Sequence, residues 1–317
     1  MDEDQAYRAM DLLIEADAQA QVQEAVFFAV ADLLNLEVDL LFFDTTSTYF
    51  ERDTEEAPTV AEPAGGLRRY GHSKDSRGDL PQIIIGLAVT REGIPVRVWC
   101  WPGNTNDAAV LPQVKDDLRT WRLGRVVTVV DRGFSSAANL AYLRRAGGHF
   151  IAGERMRAGT AHVEEVLARQ GRYRTVRDNL RVKEVRLDGK YLLVTSDPDL
   201  SAEGVALGYK NLLEAERGFR DLKSTLELRP VFHRVEPRIR AHVLLCWLAL
   251  LLIRVAERRT GLTWRRIEIE LSRLHAVTLT GSAGTVVQTT PLSEVQAGIL
   301  RACQVAPPPR VTTLHPA

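Results

Sequence analysis

The chain has 317 residues, 45% of them hydrophobic, with 41 Lys and Arg balancing 41 Asp and Glu. This composition fits one large globular domain or two smaller ones and excludes disordered, fibrous and disulfide-scaffold classes. The zero net charge conceals an asymmetry: residues 1–60 hold 15 acidic residues against Arg8 and Arg52, leaving an excess of 13 positive charges on the remainder, a body suited to a polyanionic partner or simply a mixed solvated surface.

Residues 6–35 show helical spacing without Gly or Pro and predict one or two helices. Residues 1–20 are acidic and lack the cationic start and apolar core of a signal peptide. VDLLFFD predicts a strand ending on Asp44, and residues 52–80, including GGLRRYGHSKDSRGD, a long loop. QIIIGLAVT and IPVRVWCW, separated by REG, form a hairpin, with Trp99 and Trp101 on one face as core residues. PGNTND supplies caps for a helix running to about Trp121. RVVTVVD is a strand ending on Asp131, RGF turns into a helix over about 135–146, and HFIAGE is a fifth strand. The order implies an antiparallel meander followed by crossovers, hence an α/β mixed sheet with flanking helices.

The segment 172–197 alternates in polarity and carries an Asp-Gly turn at 188–189, which predicts a β-rich insertion (153–203) projecting from the fold rather than a sixth strand of the sheet. Helices are expected over about 204–226, 237–258 and 263–276, giving a core completion to 258, C-terminal helices over 259–304 and a Pro-rich tail, 305–317, with little capacity to pack. The longest apolar run, VLLCWLALLLI at 243–253, is too short to span a bilayer and reads as a buried helix. Cys100, Cys246 and Cys303 are widely spaced, as for reduced thiols in a cytoplasmic protein.

Three carboxylates carry the chemistry. An ionised Asp closing a buried strand needs a helix N–H, a cation or a metal. Asp44 and Asp131 both close apolar strands, at the end where α/β sheets place ligands. A third carboxylate would complete an oxygen-donor site for hard divalent cations. In GYKNLLEAERGFRDLKSTLELRP, helical spacing puts Tyr209, Glu216, Arg220 and Lys223 on one stripe and Leu212, Ala215, Phe219, Leu222 and Leu226 on another. On spacing alone, Glu216 with Arg220 is equally a solvent-exposed i, i+4 pair. Arg132 reads as a phosphate contact or a surface turn residue, and Lys74 and Arg77 as DNA contacts or parts of a solvated loop.

The segment resembles the signature Y-x2-R-x3-E-x6-K of insertion-sequence DDE transposases of the branch with a β insertion, with Tyr209, Glu216 and Lys223 at the required intervals and Leu212 replacing the arginine. The resemblance extends through FFDTTSTYFE, GHSKDSRGDLPQIIIGLAV, GIPV, PGNTND, VVDRGF and ELRPVFHR, over roughly residues 39–250. It implies a ribonuclease-H-like core in which Asp44, Asp131 and Glu216 bind two Mg²⁺ or Mn²⁺ ions, with Arg220 and Lys223 holding phosphates; Tyr209, Arg132, Lys74 and Arg77 are the further candidates for contact with DNA. It further implies cleavage at transposon ends followed by strand transfer to target DNA, by a homodimer on DNA with no membrane partner. Relatives usually begin with a DNA-end-recognition domain, whereas residues 1–36 are acidic and helical. Two other readings stay open: a non-enzymatic remnant partnering intact transposase, and a metal-dependent nuclease on the same core.

Overall fold

A computed structural model describes residues 3–13, 18–56, 65–121, 123, 125–154 and 192–316. The chain divides into two compact units, 1–247 and 248–317, the boundary falling inside one long helix.

In the first unit, β1 (Leu40–Tyr49), β2 (Gln82–Thr90), β3 (Pro95–Pro102), β4 (Val127–Val130), β5 (His149–Glu154) and β6 (Leu192–Thr195) form one sheet in the order β3-β2-β1-β4-β5-β6. β1, β2 and β3 are an antiparallel meander, while β4 and β5 run parallel to β1. This is a mixed sheet that opens on an antiparallel meander, as the element order implies. The hairpin reads correctly from its apolar runs because β2 is buried along its whole length. Trp99 and Trp101 lie on one face at period two and stack at 6.2 Å, inside the core as expected.

Of the one or two helices expected over 6–35, the structure has two, α1 (Glu3–Leu12) and α2 (Ala18–Leu34). Gln23 of α2 is 2% exposed because its Oε1 accepts the Val98 amide of the edge strand β3, satisfying a group that the sheet leaves unpaired. Helix α3 (Asp107–Arg119) begins where Asn106 accepts the Ala108 amide, the cap that PGNTND announces. Helix α4 (Ala137–Arg144) starts at Ser136, which accepts the Asn139 amide.

Two helices replace the single one expected over about 204–226. Helix α5 (Ala202–Lys210) ends in tight turns, with the Asn211 amide on Gly208 O and the Leu212 amide on Tyr209 O, and α6 (Leu213–Ser224) follows. The reason is local: these i→i+3 bonds replace the α-helical ladder for one turn. The apolar stripe of α6 survives the break, since Leu212, Ala215, Phe219 and Leu222 are all buried. Phe219 and Leu222 each contribute roughly 1.5–3 kcal/mol of burial, enough to fix α6 on the sheet beside β1 and β2.

The expected insertion is corrected at its C-terminal end. Leu192–Thr195 pairs antiparallel with β5, from Ile151↔Thr195 to Glu154↔Leu192, and is the sixth strand. β5 would otherwise expose a ladder of unpaired amides and carbonyls, and β6 covers it. The Asp-Gly turn at 188–189 lies outside the described residues.

Helix α7 (Glu236–Thr260) contains the long apolar run, and Ile239, Ala241, Leu244 and Trp247 in it are completely buried, as for a core helix. By length and composition alone its 25 residues would suffice to cross a bilayer. Cys100 and Cys246 are buried free thiols, and burial pushes them up to about 12 and about 11; Cys303 is half-buried.

The second unit departs from the expected helices and tail. Beyond α8 (Trp264–Leu271), strands β7 (Ala276–Gly281), β8 (Gly284–Thr289) and β9 (Val311–Pro316) form a separate antiparallel sheet, and α9 (Glu294–Ala302) lies between the last two in sequence. The alternating, β-branched AVTLTG and GTVVQT favour strands. The tail beyond its prolines contributes the third strand, because Val286 and Val287 of β8 have a second ladder edge to fill.

Gly86 is required by packing. A Cβ there would lie 2.5 Å from Trp101 and 3.0 Å from Phe43. Gly86→Ala is therefore expected to destabilise the chain by about 1–3 kcal/mol, the cost of overpacking a core, read as a lower midpoint in urea unfolding with an unchanged slope.

Candidate active site

β1 and β4 are parallel neighbours in register, with Phe43 opposite Val130 as their last pair. The next residue on each strand is an aspartate, so Asp44 and Asp131 emerge side by side on the same face. The expectation that both terminate their strands holds for Asp131 and is corrected for Asp44. β1 continues to Tyr49, paired only with β2. β4 stops at Val130, so Asp44 lies mid-strand on β1, just past the last residue that pairs with β4.

Burial raises the Asp44 carboxyl to about 6. The Lys74 ammonium and the Thr45 amide, which donates to Asp44 Oδ1 at 2.7 Å, pull it down, while the charges of Asp131 and Asp107 push it up. Asp131 accepts a 2.7 Å hydrogen bond from Tyr209 Oη. Gly153 of β5 makes room for that phenol, because a Cβ there would lie 2.5 Å from Tyr209 Oη. The signature Tyr209 thus reaches from α5 to the second aspartate.

Lys74 lies in this site. Its Nζ donates to Thr45 O at 2.8 Å and Thr45 Oγ1 at 2.7 Å, and pairs with Asp107 Oδ2 at 2.9 Å. Thr45 Oγ1 in turn donates to Asp107 Oδ1 at 2.7 Å. A closed ring of Lys74, Thr45 and Asp107 therefore sits against Asp44. From the sequence, Lys74 is a DNA contact or a cation of a solvated loop, and Asp107 only a possible helix cap. In the sequence they are marked only by lying in GHSKD and PGNTND.

Lys223 is 11% exposed and its Nζ pairs with Asp75 Oδ1 at 2.7 Å, so its ammonium faces protein. Arg77 lies over the Tyr49 ring, 4.9 Å from its centroid, and is bonded to Asp79. Arg132 and Arg220 are exposed and carry no ion pair among the described residues. Leu212, at the position where the signature has arginine, is 7% exposed and belongs to the core.

Glu216 lies on the exposed side of α6, away from its buried stripe. Among the described residues, no three His, Cys, Asp or Glu side chains are grouped closely enough to hold a metal ion. Asp44 and Asp131 nevertheless fit a hard divalent cation: their donors are all oxygen, they sit side by side, and the buried Asp44 charge is incompletely compensated by the protein.

The raised Asp44 carboxyl links stability to pH. Between its ordinary value of 3.8 and about 6 the folded chain holds a proton that the unfolded chain has released. This group therefore favours folding below that window, and its contribution is lost as pH rises through it. Asp44→Asn is expected to raise stability at neutral pH by up to about 3 kcal/mol. It should also flatten the fall in melting temperature across the window, as scanning calorimetry at stepped pH without divalent cations will show.

The model of the transposase DDE domain family matches residues 41–252, more than half of the chain and the whole stretch from the Asp44 strand to α7. A search of curated proteins found no match. Among solved structures, the piggyBac transposase synaptic complex with hairpin DNA is similar at a TM-score of 0.40 and 10% identity, covering 84% of this chain and 52% of that one. The Mos1 transposase paired-end complex with the left transposon end gives a TM-score of 0.25 and 12% identity, covering 47% of this chain and 42% of that one. The chain spans about half the length of these structures. On the extent of the family match, the chain belongs to the DDE transposase family.

Proposed function

We propose that this chain cuts and joins DNA strands at transposon ends, with Asp44, Asp131 and Glu216 as its catalytic carboxylates. The observation that supports this most is the adjacency of Asp44 and Asp131 at the mouth of the parallel strands, 87 residues apart in sequence. When bound, two Mg²⁺ or Mn²⁺ ions held by these carboxylates supply the activation of a water or a 3′-hydroxyl and the neutralisation of charge at phosphorus. The chain's own groups do the rest. Tyr209 holds one oxygen of Asp131 by its 2.7 Å hydrogen bond and so orients that carboxylate. Lys74, held by Thr45 and Asp107, keeps positive charge beside Asp44. Arg132, next to Asp131, and Arg220, one turn from Glu216, are exposed and would hold backbone phosphates as charge-assisted donors.

Duplexes bearing the element's own ends, incubated with the chain and Mg²⁺ or Mn²⁺, test the reading; cleavage with transfer of the freed 3′ end supports it, and cleavage without joining marks a nuclease instead. Glu216→Gln is expected to abolish cation-dependent cleavage while leaving the circular dichroism spectrum unchanged, since the exposed side chain bears no packing. Retained cleavage would move the third ligand elsewhere. Glu214 is poorly placed to serve, because it lies against Gly93 in the β2–β3 turn and pairs with Arg217 at 3.7 Å.

Binding to duplex DNA should weaken steeply with salt, each neutralised phosphate contributing a log–log slope of about −0.9. Arg132→Gln and Arg220→Gln are each expected to reduce that slope by about one phosphate's worth, as fluorescence anisotropy titrations at several salt concentrations will measure. A slope unchanged in both variants would place the DNA path elsewhere.

A further inference from the structure

Lys74 and Asp75 are consecutive residues of the irregular segment between β1 and β2, and they face opposite partners. Lys74 is bound to the Asp44 strand through Thr45, while its backbone amide donates to Ser47 Oγ at 2.8 Å. Asp75 turns the other way. One oxygen, Oδ1, accepts from Lys223 of α6 at 2.7 Å and from Arg229 beyond the helix at 2.7 Å. Its side chain is only 6% exposed, and Oδ2 has no hydrogen-bond partner among the described residues. A carboxylate so deeply placed would be costly without its two cations, and a solvated loop would have no reason to put one there.

The consequence follows from helix geometry. Lys223 is seven residues after Glu216, so the two share one stripe, about 10 Å apart along the axis at 1.5 Å per residue. The chain past α6 returns to the sheet, where the Val231 amide donates to Tyr49 O at the end of β1, and Arg229 on this return closes on the same Asp75 oxygen. Three segments are tied at one atom, and the tie lies between the strand that carries Asp44 and the helix that carries Glu216.

Resting on the reading of Asp44, Asp131 and Glu216 as one site, we propose that Asp75 is a positioning residue: through Lys223 and Arg229 it sets where α6, and so Glu216, stands relative to the Asp44 strand. Lys223 then acts as the strut of this tie rather than as a phosphate contact. The rival is that Asp75 occupies a place on Lys223 that DNA phosphate takes over.

The test uses the full chain, with Mn²⁺ affinity from titration calorimetry and duplex DNA affinity, without divalent cation, from anisotropy. Asp75→Asn is expected to weaken Mn²⁺ binding by about tenfold or more, the usual loss when a group supporting a metal ligand is removed, with DNA affinity unchanged; Asp75→Glu should recover part of it. Where Asp75→Asn fails to fold by circular dichroism, the double variant Asp75→Asn with Lys223→Met removes both buried charges and carries the same expectation. Unchanged Mn²⁺ affinity in a folded Asp75 variant overturns the positioning role. So does tighter DNA binding with a steeper salt slope in Asp75→Asn, which would mark Lys223 as a phosphate site masked by Asp75. If wild type and Asp44→Asn bind Mn²⁺ alike, the carboxylate site itself is wrong and the positioning role falls with it.

Discussion

The structure turns on two like charges held together. Asp44 and Asp131 emerge side by side because β1 and β4 run parallel in register, and neither strand can shift without moving its buried apolar neighbours. Burial is the main cost of holding the Asp44 charge, and repulsion from Asp131 adds to it, which is why the Asp44 carboxyl rises to about 6. The surrounding groups offset part of this: Tyr209 and the Thr45 amide each give one oxygen a proton donor, and Lys74 brings a cation. What they leave uncompensated is the electrostatic case for an oxygen-liganded divalent cation.

The segment between β1 and β2 shows how an irregular stretch becomes part of such a site. It is glycine-rich and polar, yet its groups are bonded in detail. The Arg69 amide donates to Gln82 O and the Gln82 amide to Arg69 O, Gln82 Nε2 reaches His72 O and Gly103 O, and Ser73 Oγ accepts the amides of Asp75 and Arg77. Backbone groups that no ladder satisfies must find other partners when buried, and here they find them in β2 and within the segment itself. Order in this segment comes from polar satisfaction, since Leu67 is a rare apolar anchor within it.

The corrected elements share a physical cause. β6 and β9 are short and add to the open edge of a strand whose amides and carbonyls would otherwise be unpaired. An edge is a property of the assembled sheet, so no local pattern in Leu192–Thr195 or Val311–Pro316 announces it. The break between α5 and α6 is likewise invisible to a helical wheel, because the stripe through Leu212, Ala215, Phe219 and Leu222 stays apolar across it.

Local patterns determined much by themselves. Continuous apolar runs gave β2 and β5 their identity, PGNTND placed the start of α3, and the resemblance to a family signature at Tyr209, Glu216 and Lys223 singled out the segment that folds as α5 and α6. Periodicity and turn chemistry act over a few residues, so one dimension suffices for them. Tertiary structure alone decided which polar groups meet. Asp107 lies 63 residues from Asp44 and Asp75 lies 148 from Lys223, and their roles depend on the parallel register of β1 with β4 and on the return of the chain past α6 to Tyr49. Charge interactions at 2.7–2.9 Å leave no periodic trace in a sequence, because the residues they join are brought together only when the apolar faces of separate elements pack.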